Sequence, residues 1–365
     1  MTTKRSVLIA GGGTGGHLMP ALAIAHELDA RNVGLEPVLV GAVRGVEARL
    51  LPTRDFRYHL LPSEPIYRRT WWKNLRWPAI AGRLLRRVEQ LFDEERPVAV
   101  LGTGGYASGP VVWWATRRRI PSAIQEQNAY PGLATRWLSR RVRQVYLGLP
   151  EARRMLKFGA DTRVFDTGNP ITPPTPERRP EALRQFRLDG TRPVLLVTGG
   201  SQGSLAINQA VAGWIETGGA QDIAVIWVTG RGSHQQFAAY HRPPEVTVVD
   251  FLDPMADGYA VSDLVVSRAG MITVAELCAW GLPSILVPLP TAAADHQTHN
   301  ARVLAEAGAS LMLTQNELTP SRLGATIGRV LAEPGTRQRM AQHARARGRP
   351  RAAAEIVSNL LTLIR

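Results

Sequence analysis

The chain has 365 residues, more than one hydrophobic core ordinarily organises, so two domains are expected. Its 44% hydrophobic and 20% charged residues are those of a globular protein, and the single cysteine, Cys278, excludes an internal disulfide framework and suits a reducing compartment. Forty-four Lys and Arg against 30 Asp and Glu leave a formal charge of +14, which calls for an anionic partner: nucleic acid, acidic lipid or a phosphorylated substrate.

The opening MTTKRSVLIAGGG runs straight from a short basic start into a strand and a glycine turn, so no signal peptide is expected. No apolar run reaches the ~18 residues of a membrane span. In chain order, VLIA (7–10), PVLVG (37–41), YHLLP (58–62), VAVLG (98–102), SAIQE (122–126) and QVYLGL (144–149) are predicted strands. Helical stretches alternate with them, as in HLMPALAIAHEL (17–28), where Leu18, Leu22, Ala25 and Leu28 share a face. GNPITPPTPERRP (168–180), with five prolines, reads as a stiff exposed linker. The alternation then restarts with PVLLVTG (193–199), IAVIWVTG (223–230), VTVVDFL (246–252), DLVVS (263–267) and PSILVPL (283–289). Continuous apolar strands between helices predict an α/β chain of two doubly wound parallel-sheet domains facing a cleft. Their expected bounds are 1–168 and 169–349, the second opening with the linker at 169–180. The basic RQRMAQHARARGRPR (337–351) reads as a solvated surface, followed by a helix at about 350–365 expected to pack back on the first domain.

In such sheets ligands sit at the carboxyl ends of strands, where the unusual motifs fall. Gly11, Gly13 and Gly16 satisfy G-x-G-x-x-G between a strand and a helix, a context that binds phosphate on bare amides. Close strand–helix packing is the alternative reading. A dinucleotide site would also want an acid ending the second strand, but that strand ends Val40-Gly41-Ala42, with Glu36 before it. Gly102-Thr103-Gly104-Gly105-Tyr106 and Gly199-Gly200-Ser201-Gln202-Gly203 repeat the strand–glycine–helix arrangement, and together the turns argue for a ligand rich in phosphate. At a fourth strand end, SRAGMITVAE (267–276) offers the amides of residues 270 to 273 to a phosphate. Glu276 could accept from a ribose diol there, or could serve the helix dipole alone.

Taken together, GGGTGGH, GTGGY, EQN, GGSQG, SRAGMITVAE and DHQTHN, in this order and spacing, resemble the MurG family of peptidoglycan glycosyltransferases from Val7 to about residue 330. The resemblance implies the GT-B fold of two Rossmann-like domains. It also implies transfer of N-acetylglucosamine from UDP-N-acetylglucosamine to the C4 hydroxyl of undecaprenyl-diphosphate-linked N-acetylmuramoyl-pentapeptide, lipid I to lipid II. Gly13, Gly104, Gly105 and Tyr106 would serve the acceptor, and Thr14, Gly15 and Gly16 would line the place where lipid diphosphate and donor sugar meet. On the donor side the resemblance implies Asn128, Ser201, Gln202, Gly203, Leu252 beside Phe251, and Arg268. It adds Gly270, Met271, Ile272, Thr273, Val274, Ala275, Glu276, Gln297 and Asn300, with Glu276 on the ribose. One departure stands out: the family's Asn-Pro-Val-Arg is here Asn169-Pro170-Ile171-Thr172, so an arginine expected near the donor is absent, with Arg178 and Arg179 nearby.

Converting an α-linked nucleotide sugar to a β-linked product needs one displacement and one general base, without a second carboxylate. His17 is the candidate base, because a helix N-terminus favours the neutral imidazole; binding a phosphate or capping the turn is its alternative. Glu126 is the second candidate. No Asp-x-Asp occurs, so amides near Gly270, with Ser201 and Arg268, are expected to meet the leaving charge. No tightly bound metal or other cofactor is expected, with free magnesium at most stimulatory; His296 and His299 alone make a weak zinc signal.

YRRTWWKNLRWPAIAGRLLRRVEQLF (67–92) sets three tryptophans among seven Lys and Arg. Trp71, Trp72, Trp77, Ile80 and Leu84, with Leu85, suit a segment in the headgroup region of an anionic membrane; a core helix with a basic face is the alternative. The expected location is peripheral, on the cytoplasmic face of the membrane, with other cell-wall and division proteins as further partners. Nucleic acid gains no support from the glycine turns. The competing functions are a transferase acting on another acceptor, a catalytically inactive scaffold for the lipid-linked precursor and, last, an NAD-dependent oxidoreductase.

Overall fold

In a computed structural model, described over residues 5–64 and 77–364, the chain divides into two compact units. One is formed from the residues up to Ile171 together with those from Arg351 onward; the other spans Thr172–Pro350. Trp71 and Trp72 lie outside the described residues.

The first unit begins β1 (Arg5–Gly11), α1 (Gly15–Ala30), β2 (Leu35–Ala42), α2 (Glu47–Leu50), β3 (Arg57–Leu61) and α3 (Trp77–Glu95). It continues β4 (Ala99–Gly104), α4 (Gly105–Arg117), β5 (Ser122–Glu126), α5 (Leu133–Leu138), β6 (Gln144–Leu147) and β7 (Arg163–Phe165). The sheet is parallel in the order β3-β2-β1-β4-β5-β6-β7, so the chain runs outward from β1 to one edge and then from β4 to the other. Successive side chains alternate between faces. Leu8, Ala10, Val38 and Val40 meet Leu84, Val88 and Leu91 of α3, whereas Val7, Ile9 and Leu39 meet α1.

The second unit follows with α6 (Arg179–Gln185), β8 (Val194–Thr198), α7 (Leu205–Glu216), β9 (Ala224–Val228), α8 (His234–Phe237), β10 (Val246–Val249) and α9 (Met255–Val261). Next come β11 (Leu264–Ser267), α10 (Met271–Trp280), β12 (Ser284–Leu286), α11 (His296–Glu306), β13 (Ser310–Met312), α12 (Pro320–Ala332) and α13 (Pro334–Arg347). Its strands, again parallel, stand in the order β10-β9-β8-β11-β12-β13, and Trp214 and Trp227 anchor the core on one face. The last helix, α14 (Ala352–Leu361), belongs to the first unit, where Ile356, Val357 and Leu360 are fully buried on the α1 face of the sheet. Each such side chain contributes about 1.5–3 kcal/mol of burial.

Three sequence expectations change. The segment read as an exposed linker starts inside the first unit: Gly168 to Ile171 are buried, Asn169 is tied to Gln125 and Gln127, and exposure begins at Thr172. The basic stretch at 337–351 is not wholly solvated, because Met340 and Ala344 of α13 are buried while the arginines ring them. Ile80 and Leu84, expected at a membrane, turn inward at 4% and 3% exposure, since an amphipathic helix must give its apolar stripe to the core first.

Candidate active site

The glycine turns after β1 and β4 interlock. Gly12 donates to the Gly104 carbonyl at 3.3 Å, and a side chain on Gly105, at φ +80°, would collide with the Gly12 carbonyl. Gly13, at φ +93°, gives way to the Tyr106 ring. Beyond the turn Thr14 is the N-cap of α1, and its carbonyl accepts from the amides of His17 and Leu18. The amides of Gly15 and Gly16 therefore precede the first helical bonds and suit an anion. The expected acceptor residues Gly13, Gly104, Gly105 and Tyr106 are thus one cluster, with Thr14, Gly15, Gly16 and His17 at its rim.

His17 stands against Gly104, where a Cβ would lie 2.6 Å from its Nδ1. Nδ1 is 3.2 Å from the Thr103 carbonyl and 3.1 Å from Gln127 Oε1. Both are acceptors here, because Gln127 spends its amide nitrogen on Thr103 O and Gln125 Oε1. Nδ1 therefore carries the proton and Nε2 the lone pair, the tautomer a general base requires. Behind this contact, Gln125 donates to Asn169 Oδ1 at 2.9 Å, and Asn169 Nδ2 to the Gln127 carbonyl at 3.1 Å, in a buried network.

Glu126 is not placed as a base. At 3% exposure, its Oε1 accepts from Asn128 N and Nδ2 and its Oε2 from Gly132 N, so both oxygens organise the loop at 126–132. A carboxylate already holding three donors has little left for a substrate proton. Asn128 is shaped by that loop and stays partly exposed.

In the second unit, the turn after β8 leaves Ser201 and Gln202 exposed. Gly203 lies where a side chain would strike the Thr229 carbonyl, and Ser204 caps α7 by accepting from Ile207 N. Gly270 is the N-cap of α10, and Val274 N makes the first bond back to the Gly270 carbonyl. The amides of Met271, Ile272 and Thr273 are thus left to a ligand at the positive end of the helix dipole. Glu276, on the same helix, accepts from the Tyr259 hydroxyl at 2.9 Å. Burial pushes its carboxyl above the usual range, and the tyrosine hydrogen bond opposes that shift. Leu252 is buried and Phe251 is 40% exposed under the Arg231 guanidinium, which lies 4.9 Å from the ring centre. Gln297 Oε1 accepts from Leu289 N at 3.0 Å.

Two expected donor contacts become supports. Arg268 donates to the carbonyls of Val287 and Pro288 and to Gln315 Oε1, bracing the chain after β12. Asn300 has 0% exposure and donates to the Ala269 carbonyl, holding α11 to the turn before α10. Neither Arg178 nor Arg179 replaces the missing arginine at Thr172: Arg178 pairs with Asp257 and Arg179 donates to the Ala260 carbonyl, both on α9. Among the described residues no group of three His, Cys, Asp or Glu is arranged to hold a metal ion.

Sequence reasoning missed Glu47 and Tyr259, which lie in no local motif, and it missed Gln127 as the partner of His17 although EQN contains it. It also missed an apolar groove of about 300 Å³ lined by Ala81, Leu84, Leu85, Gly109, Pro110, Trp113 and Trp137 on α3, α4 and α5. Beside it Leu133 and Trp137 are 57% and 48% exposed, with the Arg141 guanidinium stacked on Trp137. No described helix is long and apolar enough to cross a membrane.

Two family models match the chain, one in each half. Residues 7–147 match the glycosyltransferase family 28 N-terminal domain and residues 194–356 the family 28 C-terminal domain. The UDP-N-acetylglucosamine–N-acetylmuramyl-(pentapeptide) pyrophosphoryl-undecaprenol N-acetylglucosamine transferase of Anaeromyxobacter sp. (strain Fw109-5) is 40% identical over 98% of this chain and 93% of its own. The protein of the same name from Chlorobaculum parvum is 38% identical, covering 98% and 99%. Among solved structures, MurG of Acinetobacter baumannii superposes with a TM-score of 0.78 at 27% identity, covering 98% of this chain and 99% of that one.

Proposed function

The chain belongs to the MurG family within glycosyltransferase family 28, and from that premise we propose how its residues divide the work of one sugar transfer. It moves N-acetylglucosamine from UDP-N-acetylglucosamine to the C4 hydroxyl of undecaprenyl-diphosphate-linked N-acetylmuramoyl-pentapeptide, turning lipid I into lipid II with inversion at C1. The observation that carries this reading is the pair of helix N-termini left without a side-chain cap, at α1 in one unit and α10 in the other, in a chain matched over nearly its whole length. Two diphosphates take part in the reaction, one on the lipid and one on the nucleotide, and each is suited to such an end.

The acceptor diphosphate takes the turns at 11–16 and 104–106. His17, its Nδ1 proton held by Thr103 O and Gln127 Oε1, presents Nε2 to the acceptor hydroxyl as general base. Attack of that oxygen on C1 breaks the bond to the UDP oxygen. The charge released there is met by the amides of Met271 to Thr273, the α10 dipole and the Ser201 hydroxyl, with Glu276 on the ribose and Gln297 on the sugar. These donors take the place of a resident metal, so transfer persists in EDTA.

The face formed by α3, α4 and α5 rests on anionic lipid, through Trp137, Leu133 and the groove beneath them, with Arg136, Arg140 and Arg141 beside the headgroups. Each basic residue adds about 1 kcal/mol of attraction to such a surface. This holds the enzyme peripherally, on the cytoplasmic face where its acceptor lies.

Rates of transfer from saturating donor separate the two candidate bases. His17→Ala is expected to lower kcat by about 10²–10⁴-fold, while Glu126→Gln, which keeps the loop's acceptors in part, costs about ten-fold or less. The reverse order would move the base to Glu126.

A further inference from the structure

Glu47 lies five residues past the end of β2, in no motif, yet its side chain is at the centre of the first glycine turn. It is wholly buried, at 0% exposure. One oxygen, Oε1, accepts two backbone amides from different segments: Gly13 at 2.8 Å and Ala42 at 2.9 Å. The other, Oε2, is buried without a hydrogen-bond partner among the described residues. Three glycines make room for the carboxylate. A Cβ on Gly12 or Gly45 would lie 2.2 or 2.1 Å from Oε1, and one on Gly41 2.4 Å from Cγ.

A carboxylate with a partnerless buried oxygen is an expensive way to fill space, and an apolar side chain would do that more cheaply. What an apolar side chain cannot do is accept both amides. Five glycines in six positions leave the 11–16 turn with wide backbone freedom, and the anion site needs one conformation of it. The Gly13 amide, drawn inward to Glu47, fixes the turn at φ +93° and so fixes where α1 begins and which way its first amides point. The acid that nucleotide-binding units offer to ribose from this end of the second strand is thus turned inward, onto the loop itself.

We propose that Glu47 is a positioning residue that pre-forms the first glycine turn for the acceptor's diphosphate, acting through the doubly accepting Oε1 rather than through its charge. The inference rests on the assignment of that turn to the acceptor. Steady-state transfer by the full-length protein tests it, with a short-chain lipid I analogue and UDP-N-acetylglucosamine varied separately. Glu47→Ala and Glu47→Asp, the latter charged but too short to reach both amides, are expected to raise the acceptor KM about ten-fold or more, with donor KM within about two-fold. Glu47→Gln keeps an oxygen of the same reach, and its acceptor KM should stay within about three-fold of the parent. If Glu47→Ala proves unstable, the Asp and Gln pair decides alone. Unchanged acceptor KM in Glu47→Asp, or equal damage in Glu47→Gln, overturns the role assigned to Oε1. A rise in donor KM instead leaves Glu47 holding the turn but overturns the turn's assignment to the acceptor.

Discussion

The Tyr259 hydroxyl donates to Glu276 at 2.9 Å, so the carboxylate proposed to hold the ribose depends on a neighbouring side chain. Burial raises the Glu276 carboxyl above the usual range and Tyr259 pulls it back. The ribose diol is best held by the ionised form, which accepts from both hydroxyls. Donor KM should therefore rise as pH falls through that raised value, at a higher pH than an exposed glutamate would show. Tyr259→Phe removes the opposing hydrogen bond, so the same acid limb should move to still higher pH while the alkaline side stays put. Donor KM measured across pH 5–9 checks this; a limb that does not move in Tyr259→Phe would mean the tyrosine does not set the ionisation of Glu276. At this scale sequence and structure part company most. The glycines announce themselves because bare backbone is rare and clustered. Glu47, Gln127 and Tyr259 act on partners 34, 110 and 17 residues away, pairings that no local spacing encodes. For Arg268 and Asn300 the motif was visible but not the direction of the side chain, which burial decides.

Among elements, strands with four or more consecutive apolar residues were legible, since a parallel sheet covered on both faces leaves no other use for such runs. The edge strands β7 and β13, Arg163–Phe165 and Ser310–Met312, are too short to show a period and escaped notice. The amphipathic α3 posed a different difficulty. Its pattern fixes a stripe but not whether lipid or core receives it, and the core takes Ile80 and Leu84. Among the described residues, Leu133 and Trp137 of α5 stay exposed next to the groove. The double substitution Leu133→Ser, Trp137→Ser should weaken binding to vesicles of mixed neutral and anionic phospholipid by about ten-fold or more, judged by co-sedimentation, with transfer to a water-soluble acceptor analogue retained. Undiminished vesicle binding would remove α5 from the membrane face.

For the molecule as a whole, composition foretold two cores and an anionic partner, and the chain is built as two parallel-sheet units with the last helix returned to the first. Its formal charge of +14 suits the two diphosphates of the reaction and the anionic surface proposed for it. The candidate site was legible as a set of turns on two sheets, and the side chains that brace those turns emerged only with the fold. The departure at Thr172 gives the scaffold alternative its one foothold, because Arg178 and Arg179 are already engaged on α9. The measurement that bears most directly on the account is transfer of labelled N-acetylglucosamine from its UDP donor to a short-chain lipid I analogue, with and without EDTA. Labelled disaccharide with β configuration at the new linkage, formed at the same rate in both conditions, is the expected result. Donor binding without product would contradict it in favour of a scaffold, and product that vanishes with EDTA would contradict the assignment of the leaving charge to the amides of α10.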